Sequence, residues 1–313
     1  MCLTGHIVFI NTSMRINKLQ QPIHLLFVLT IVVIVIAYCA VCILLFLQQS
    51  RFIFFPSSII ETTPEVFNLN YEEVWLPVRD SSSKVQRIHG WWLPSSQPDD
   101  KVLLYFHGNS LNIGANVFRA HQFHQLGFSV FLFDYRGYGR SEGSFPSEVQ
   151  IYQDAATAWE YLVSQRKISP NKIFLYGHSL GGAVAIDLAV KHPEAAGLIV
   201  EGSFTSIRKM IAHRNNFWML PVNLILKQRF DSIVKVPNLK IPVLFIHGTA
   251  DEVVPPFMSK NLYEATPEPK NLVLLPGGRH NDLAEIVPSV YYQAVQSFVK
   301  HVQERNSSQF ILE

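Results

Sequence analysis

The chain has 313 residues, 48% of them hydrophobic, which is enough to bury a large core. It carries 26 Lys and Arg against 24 Asp and Glu, a formal net charge of +2, with no basic stripe, so nucleic-acid binding has no footing. The three cysteines, Cys2, Cys39 and Cys42, all precede residue 50, so the rest of the chain has no disulfide, no cysteine metal site and no cysteine nucleophile.

The first predicted element is Leu25–Leu47, an almost unbroken run of Leu, Val, Ile, Phe and Ala without a charge. As a helix it is roughly 35 Å long, enough to cross a hydrocarbon core of about 30 Å. A signal-peptide core runs only about 7–15 residues, so the segment reads as an uncleaved anchor. Arg15 and Lys18 precede it with no acidic residue before them, and Arg51, Glu61 and Glu65 follow. The positive-inside rule then puts the N-terminus in the cytoplasm and the globular domain on the other side. Cys39 and Cys42 lie inside the run and read as inert membrane-facing residues.

Arg51–Asn70, with Pro56 and Pro64, reads as a linker and entry segment. Tyr71–Val78 and Val85–Leu93 read as an antiparallel pair joined by a polar turn. Lys101–Phe106, Ser129–Phe133, Ile173–Tyr176, Gly197–Val200, Ile241–Ile246 and Asn271–Leu275 are short apolar runs with the composition of buried strands. Helical patterns fall between them, at Ala115–Gln125, Ser147–Gln165, Gly182–Val190 and Ala284–Val302. Alternating strands and helices predict an α/β fold, a doubly wound, mostly parallel sheet with helices on both faces. The predicted organisation is an N-terminal tail over 1–22, an anchor over 23–48, a linker over 49–70, one globular domain over 71–303 and a C-terminal tail over 304–313. There is no internal repeat and no low-complexity tract.

The polar residues with chemical potential cluster at the carboxyl ends of the predicted strands, where such sheets bind ligands. The sharpest signal is Gly177-His178-Ser179-Leu180-Gly181, a G-x-S-x-G between an apolar strand and a helix. That context makes it a nucleophile elbow. The flanking glycines remove Cβ atoms that would collide in so tight a turn. Ser179 then stands at a helix N-terminus, and the N–H of Leu180 is placed to stabilise an oxyanion. A serine hydroxyl needs a base and the base needs an acid. His280 follows the glycine-rich turn after the last strand, and Asp251 follows the penultimate one. The order nucleophile, acid, base along the chain is that of nucleophile-elbow hydrolases. Glu201, also at a strand end, is the competing acid. Glu252 and Asp282 read as solvated loop charges, His178 as a packing or hydrogen-bonding residue, and His121, His124 and His192 as surface-helix residues. The N–H of Asn109, after His107-Gly108, is the second oxyanion donor, with His107 as a structural hydrogen-bonder. No H-x-x-x-H or H-E-x-x-H occurs, so neither a metal nor any other cofactor is predicted.

Five stretches in order carry a family resemblance: HGN at 107–109, DYRGYGRSEG at 134–143, GHSLGG at 177–182, HGTADEVVP at 247–255 and GGRHND at 277–282. The chain from Phe52 to His301 resembles the α/β-hydrolase superfamily, more narrowly its membrane-anchored Bem46-like branch. That branch is related to the depalmitoylating thioesterases and to the serine aminopeptidase-like group. The resemblance implies that Ser179, Asp251 and His280 are the catalytic triad and Leu180 and Asn109 the oxyanion donors. It implies a structural turn at 134–141. The chain departs from the palmitoylated thioesterases in having an anchor helix and no N-terminal cysteine cluster.

About 40 residues separate Glu201 from Ile241, where one crossover helix needs only roughly 20–25. The excess includes Phe217-Trp218-Met219-Leu220-Pro221-Val222, which reads either as an ordinary packed helix or as a small apolar cap shaping an acyl pocket. The expectation is a single-pass, membrane-anchored serine hydrolase acting on an ester or thioester of a small molecule, a lipid or an acylated protein. The alternatives are a serine peptidase of the same fold and a non-catalytic, membrane-tethered binding module.

Overall fold

Eight strands form one sheet. They are β1 (Glu72–Arg79), β2 (Val85–Leu93), β3 (Val102–Phe106), β4 (Ser129–Phe133), β5 (Ile173–His178), β6 (Gly197–Glu201), β7 (Val243–Gly248) and β8 (Lys270–Leu275). This computed structural model describes residues 7–79, 84–95, 101–214 and 217–310. The sheet order is β8-β7-β6-β5-β3-β4-β2-β1. β2 runs antiparallel to both its neighbours, and every other pairing is parallel.

Successive strand residues point to opposite faces, so each central strand feeds two cores. Leu104, Phe106, Leu175, Val200 and Phe245 belong to one core, together with Ile151, Ala155, Val184 and Leu262 from helices α3 (Glu148–Glu160), α4 (Leu180–Lys191) and α8 (Phe257–Ala265). Leu103, Tyr105, Tyr176, Ile199 and Ile246 belong to the other. There they meet Val117 and Phe123 of α2 (Val117–Gln125) and Val295 and Phe298 of α10 (Pro288–Phe310). The doubly wound α/β sheet expected from the sequence is therefore present.

Local chemistry sets the element ends. Ser147 and Gln150 form a capping box at the start of α3, and an α-helix expected to reach Gln165 instead becomes a π turn over Tyr161–Gln165. Pro242 has no N–H to donate, and β7 starts at Val243, two residues later than expected. The closing helix expected at Ala284–Val302 is two helices, α9 (Leu283–Ile286) and α10. Pro288 turns Val287 out of helical geometry, with φ at −133°. No breaker follows, and α10 continues through Asn306 to Phe310.

Contacts divide the chain into two units. One holds the N-terminal helix up to Gln48 together with Met219–Lys227, and the other holds the rest. The helix, α1 (Ile7–Ile53), begins before the apolar run and outlasts it. His24–Ile53 is long and apolar enough to cross a membrane, with a mean hydropathy of 3.2. Between Glu201 and Ile241 the chain forms α5 (Ile207–Arg214), α6 (Val222–Ile225) and α7 (Ser232–Lys235).

Candidate active site

Ser179 sits between β5 and α4 at φ 55° and ψ −119°, a conformation strained for any side chain. Three hydrogen bonds hold it there. Its N–H donates to Glu201 O (2.8 Å), and its carbonyl accepts from Gly182 N (3.0 Å) and Ser203 Oγ (2.8 Å). The two glycines of the elbow are sterically required. A Cβ on Gly177 would lie 2.1 Å from Gly181 O, and one on Gly181 would lie 2.0 Å from Phe106 O. Both obstacles are backbone atoms of the central strands and the turn, so relief requires moving the elbow. Gly181→Ala is therefore expected to destabilise the fold by several kcal/mol, on the order of 4. Thermal unfolding beside the parent measures it; an unchanged midpoint contradicts this account of the elbow.

His280 and Asp251 meet this serine. Ser179 Oγ lies 3.0 Å from His280 Nε2, and His280 Nδ1 lies 2.7 Å from Asp251 Oδ2. The carboxylate can only accept, so Nδ1 carries the proton and Nε2 is left to accept from the serine hydroxyl. Asp251 Oδ1 accepts from the N–H groups of Val253 and Val254, both at 2.8 Å. Burial pushes the Asp251 carboxyl up, but hydrogen bonds from His247 and His280 outweigh it and hold it well below the usual carboxylate range. An ionised Asp251 at neutral pH follows.

The second oxyanion candidate, Asn109, is fixed through its other atoms. Its carbonyl accepts from Phe55 N–H and Tyr138 Oη, both at 2.8 Å, and its Nδ2 donates to Ile53 O at 2.9 Å. Among the described residues, neither Asn109 N–H nor Leu180 N–H donates to a backbone carbonyl.

Beneath this loop His107 is wholly buried beside Asp134. Its Nδ1–H donates to Gly108 O (2.8 Å), and its Nε2 lies 3.5 Å from Asp134 Oδ1. Burial holds the imidazole down to about 4, against the upward pull of that hydrogen bond. The folded state thus refuses a proton that the unfolded chain accepts below its ordinary value of 6.5. His107 contributes full stability above that value, and the contribution is lost as pH falls toward 4. The loss amounts to about 3 kcal/mol by the linkage relation. Urea titrations in detergent between pH 7 and 4 are expected to show this slope, reduced in His107→Gln. An unchanged slope in the variant contradicts a neutral buried imidazole.

The competing acid, Glu201, is engaged elsewhere. Its Oε2 accepts from Tyr176 and Tyr291 hydroxyls, both at 2.8 Å, and its Oε1 lies 3.3 Å from Arg119 Nη2. His178 Nε2–H donates to His280 O (2.9 Å), and burial, then the nearby Arg119 and His280 charges, keep this ring far below its ordinary value. Asp282, expected as a solvated charge, instead accepts from Arg279 N (2.8 Å) and so braces the loop that carries His280. Glu252 is exposed, and His121 stacks on Phe67 at 4.5 Å. Among the described residues no cluster of three or more His, Cys, Asp or Glu is arranged to hold a metal.

A cavity of about 440 Å³ opens at Ser179 and His280. Its walls include Asn109, Asn116, Arg119, Gln122 and Glu285, with Phe118 and Val253 among the apolar contributors. Among the described residues of the hydrolase unit, neither Ile207–Arg214 nor Phe217 and Trp218 of the segment expected as a possible cap contributes to its lining.

The sequence matches the family described as "Serine aminopeptidase, S33" over residues 97–234 and 231–286. It is 37% identical over 249 residues to protein bem46 of Schizosaccharomyces pombe, covering 76% of this chain and 79% of that protein.

The chain is a member of the α/β-hydrolase superfamily.

A further relative of this α/β hydrolase is an uncharacterised membrane protein of Saccharomyces cerevisiae, 34% identical over 243 residues, 76% of this chain and 82% of the relative. That relative and the apolar helix support membrane association. Among solved structures, an esterase of Pyrococcus furiosus superposes with a TM-score of 0.65 at 20% identity, over 80% of this chain and 98% of the esterase. At that identity the likeness is one of fold.

Sequence reasoning about the hydrolase passed over two residues beside the site. His247 is buried, with Nε2 2.9 Å from Val254 O and 3.1 Å from Asp251 Oδ2, and Nδ1 2.6 Å from Ser259 Oγ. Gly202, at φ 55°, packs beneath His280, where a Cβ would lie 3.4 Å from Nδ1. The available signal for the first was its place in the same strand-end stretch as Asp251. For the second it was a glycine immediately after a buried strand.

Proposed function

We propose that this chain is a membrane-anchored serine hydrolase that cleaves carboxylic ester or thioester bonds through an acyl-enzyme. The observation that carries the reading is the unbroken hydrogen-bond line from Ser179 Oγ through the His280 ring to Asp251, at the wall of a cavity. Ser179 Oγ attacks the acyl carbon as His280 Nε2 takes its proton. The carbonyl oxygen gathers negative charge and accepts from the N–H groups of Leu180 and Asn109, each worth roughly 3 kcal/mol to the barrier. His280 returns the proton to the departing alcohol or thiol. A water deprotonated by the same nitrogen then releases the acid and restores Ser179. No cofactor enters this cycle.

The cavity walls are largely polar, which suits the polar portion of an ester beside the scissile bond better than a long acyl chain. The anchor reading rests on the apolar helix. Arg15 and Lys18 before the run favour a cytoplasmic N-terminus, and the catalytic unit then faces the opposite side. Protease protection in sealed vesicles tests that orientation; digestion of the hydrolase unit from the cytoplasmic side contradicts it.

A serine peptidase of the same fold is the second reading. It is favoured by Glu285 on the cavity wall, a carboxylate able to hold a free amino group. Purified full-length protein assayed on short-chain aryl esters, acyl thioesters and aminoacyl amides separates the readings. Ester and thioester turnover that vanishes in Ser179→Ala is the expected result. Aminoacyl-amide turnover exceeding both selects the peptidase, and a folded protein inert on all three selects a binding module.

A further inference from the structure

Met219–Lys227 reads MLPVNLILK, with no charge before its last residue. It groups with the apolar helix rather than with the hydrolase unit. Two contacts fix its course along α1. The Tyr38 hydroxyl donates to Met219 O at 2.8 Å, and Lys227 Nζ lies 3.9 Å from the centroid of the Phe46 ring. Tyr38 and Phe46 are eight residues apart, roughly 12 Å along the helix. The segment therefore descends by about that depth, from Lys227 near the polar end of α1 to Met219 opposite the middle of the apolar run.

Its outward side chains are apolar apart from Asn223 and, at its end, Lys227. Leu224 is 82% exposed and Met219 is 64% exposed, and Phe217 and Trp218 directly before them are exposed too. The surface of α1 at the same level is also unburied and apolar: Val35, Ile36, Val41, Ile43 and Leu44 all stand at least 49% exposed. In water this continuous apolar surface has no favourable environment; in a bilayer it has one. The single cation, Lys227, stands at the shallow end, where a long side chain reaches the headgroups.

We infer that Met219–Lys227 is a second membrane-inserted element, a re-entrant segment that enters the acyl-chain region of the leaflet nearest Arg51 alongside α1. The inference rests on the reading of α1 as membrane-embedded. The occupant of the apolar surface is lipid, because the surface is continuous with the helix that lipid surrounds. Backbone groups at this depth need partners within the protein. The bond from Tyr38 to Met219 O supplies one, and the turn bonds of Leu224 N to Pro221 O (2.8 Å) and Leu226 N to Val222 O (2.9 Å) supply others.

The test uses the full chain in phosphatidylcholine vesicles, with Cys2, Cys39 and Cys42 replaced by Ser. A single cysteine at Leu224, Val33 or Asn261 carries an environment-sensitive fluorophore. Nitroxide on the lipid acyl chains is expected to quench the probe at Leu224 as it does at Val33. Aqueous iodide is expected to quench Asn261 on the order of 10-fold more than Leu224. Iodide reaching Leu224 as it reaches Asn261, with Val33 still lipid-quenched, overturns the inference and leaves the anchor standing. Neither quencher reaching Leu224 also overturns it, since protein then covers the segment. Iodide reaching Val33 removes the anchor reading itself.

Discussion

Ser179→Ala is expected to lower ester turnover by about 10⁴-fold or more with the protein still folded. The replacement keeps the Cβ, so it adds no strain to the elbow at φ 55°. It also leaves untouched the backbone bonds to Glu201 O and Ser203 Oγ that hold the turn. Only the hydroxyl bonded to His280 Nε2 is lost. His280→Ala is expected to cost a similar factor, because a serine without its base is scarcely nucleophilic. The double variant is expected to be little slower than either single one, since nucleophile and base act as a unit. Steady-state rates on a short-chain aryl ester check this, and independent, multiplicative losses contradict the assignment.

Asp251→Asn is expected to reduce turnover by roughly 10⁴-fold, mostly in kcat. The carboxylate fixes the proton on His280 Nδ1 and leaves Nε2 free to accept. An amide can present its N–H to Nδ1 instead, which moves the imidazole proton to Nε2 and opposes proton uptake from Ser179. The amide oxygen can still accept from Val253 and Val254, so the loop keeps its anchorage. Glu201→Gln supplies the contrast. It removes the partner charge of Arg119 in the interior, and the expected cost is about 3–5 kcal/mol of stability. The fraction that remains folded is expected to turn over at near the parent rate. A dead Glu201→Gln with an active Asp251→Asn transfers the acid role to Glu201.

The fold was legible because its information is local. Each central strand spans five or six residues around a buried apolar run of three to five, with polar or glycine residues at or just past its end. Where a proline rules out a backbone bond, boundaries moved by one or two residues, as at Pro242, or an element split, as at Pro288. The residues of the candidate site were legible as strand-end polar groups, but their partners were not. The bond from His280 to Asp251 joins residues from different turns. The pairing of Glu201 with Arg119 joins a strand end to a helix 82 positions earlier. Such pairings arise from tertiary packing, and no periodicity signals them. The apolar stretch at 217–226 illustrates a different limit. Composition marks it as unlike a surface loop, but its association with Tyr38 and Phe46 emerges only from the folded chain.

Active-site labelling tests the nucleophile most directly. A fluorophosphonate phosphonylates a serine, with loss of fluoride, only when that hydroxyl is activated and an oxyanion site receives the developing charge. Full-length protein treated with such a probe, digested and mapped by mass spectrometry is expected to carry one adduct, on Ser179. The adduct is expected to vanish in Ser179→Ala and to form far more slowly in His280→Ala. A folded protein that takes no label, or one whose label survives Ser179→Ala, contradicts the assignment of Ser179 as the nucleophile.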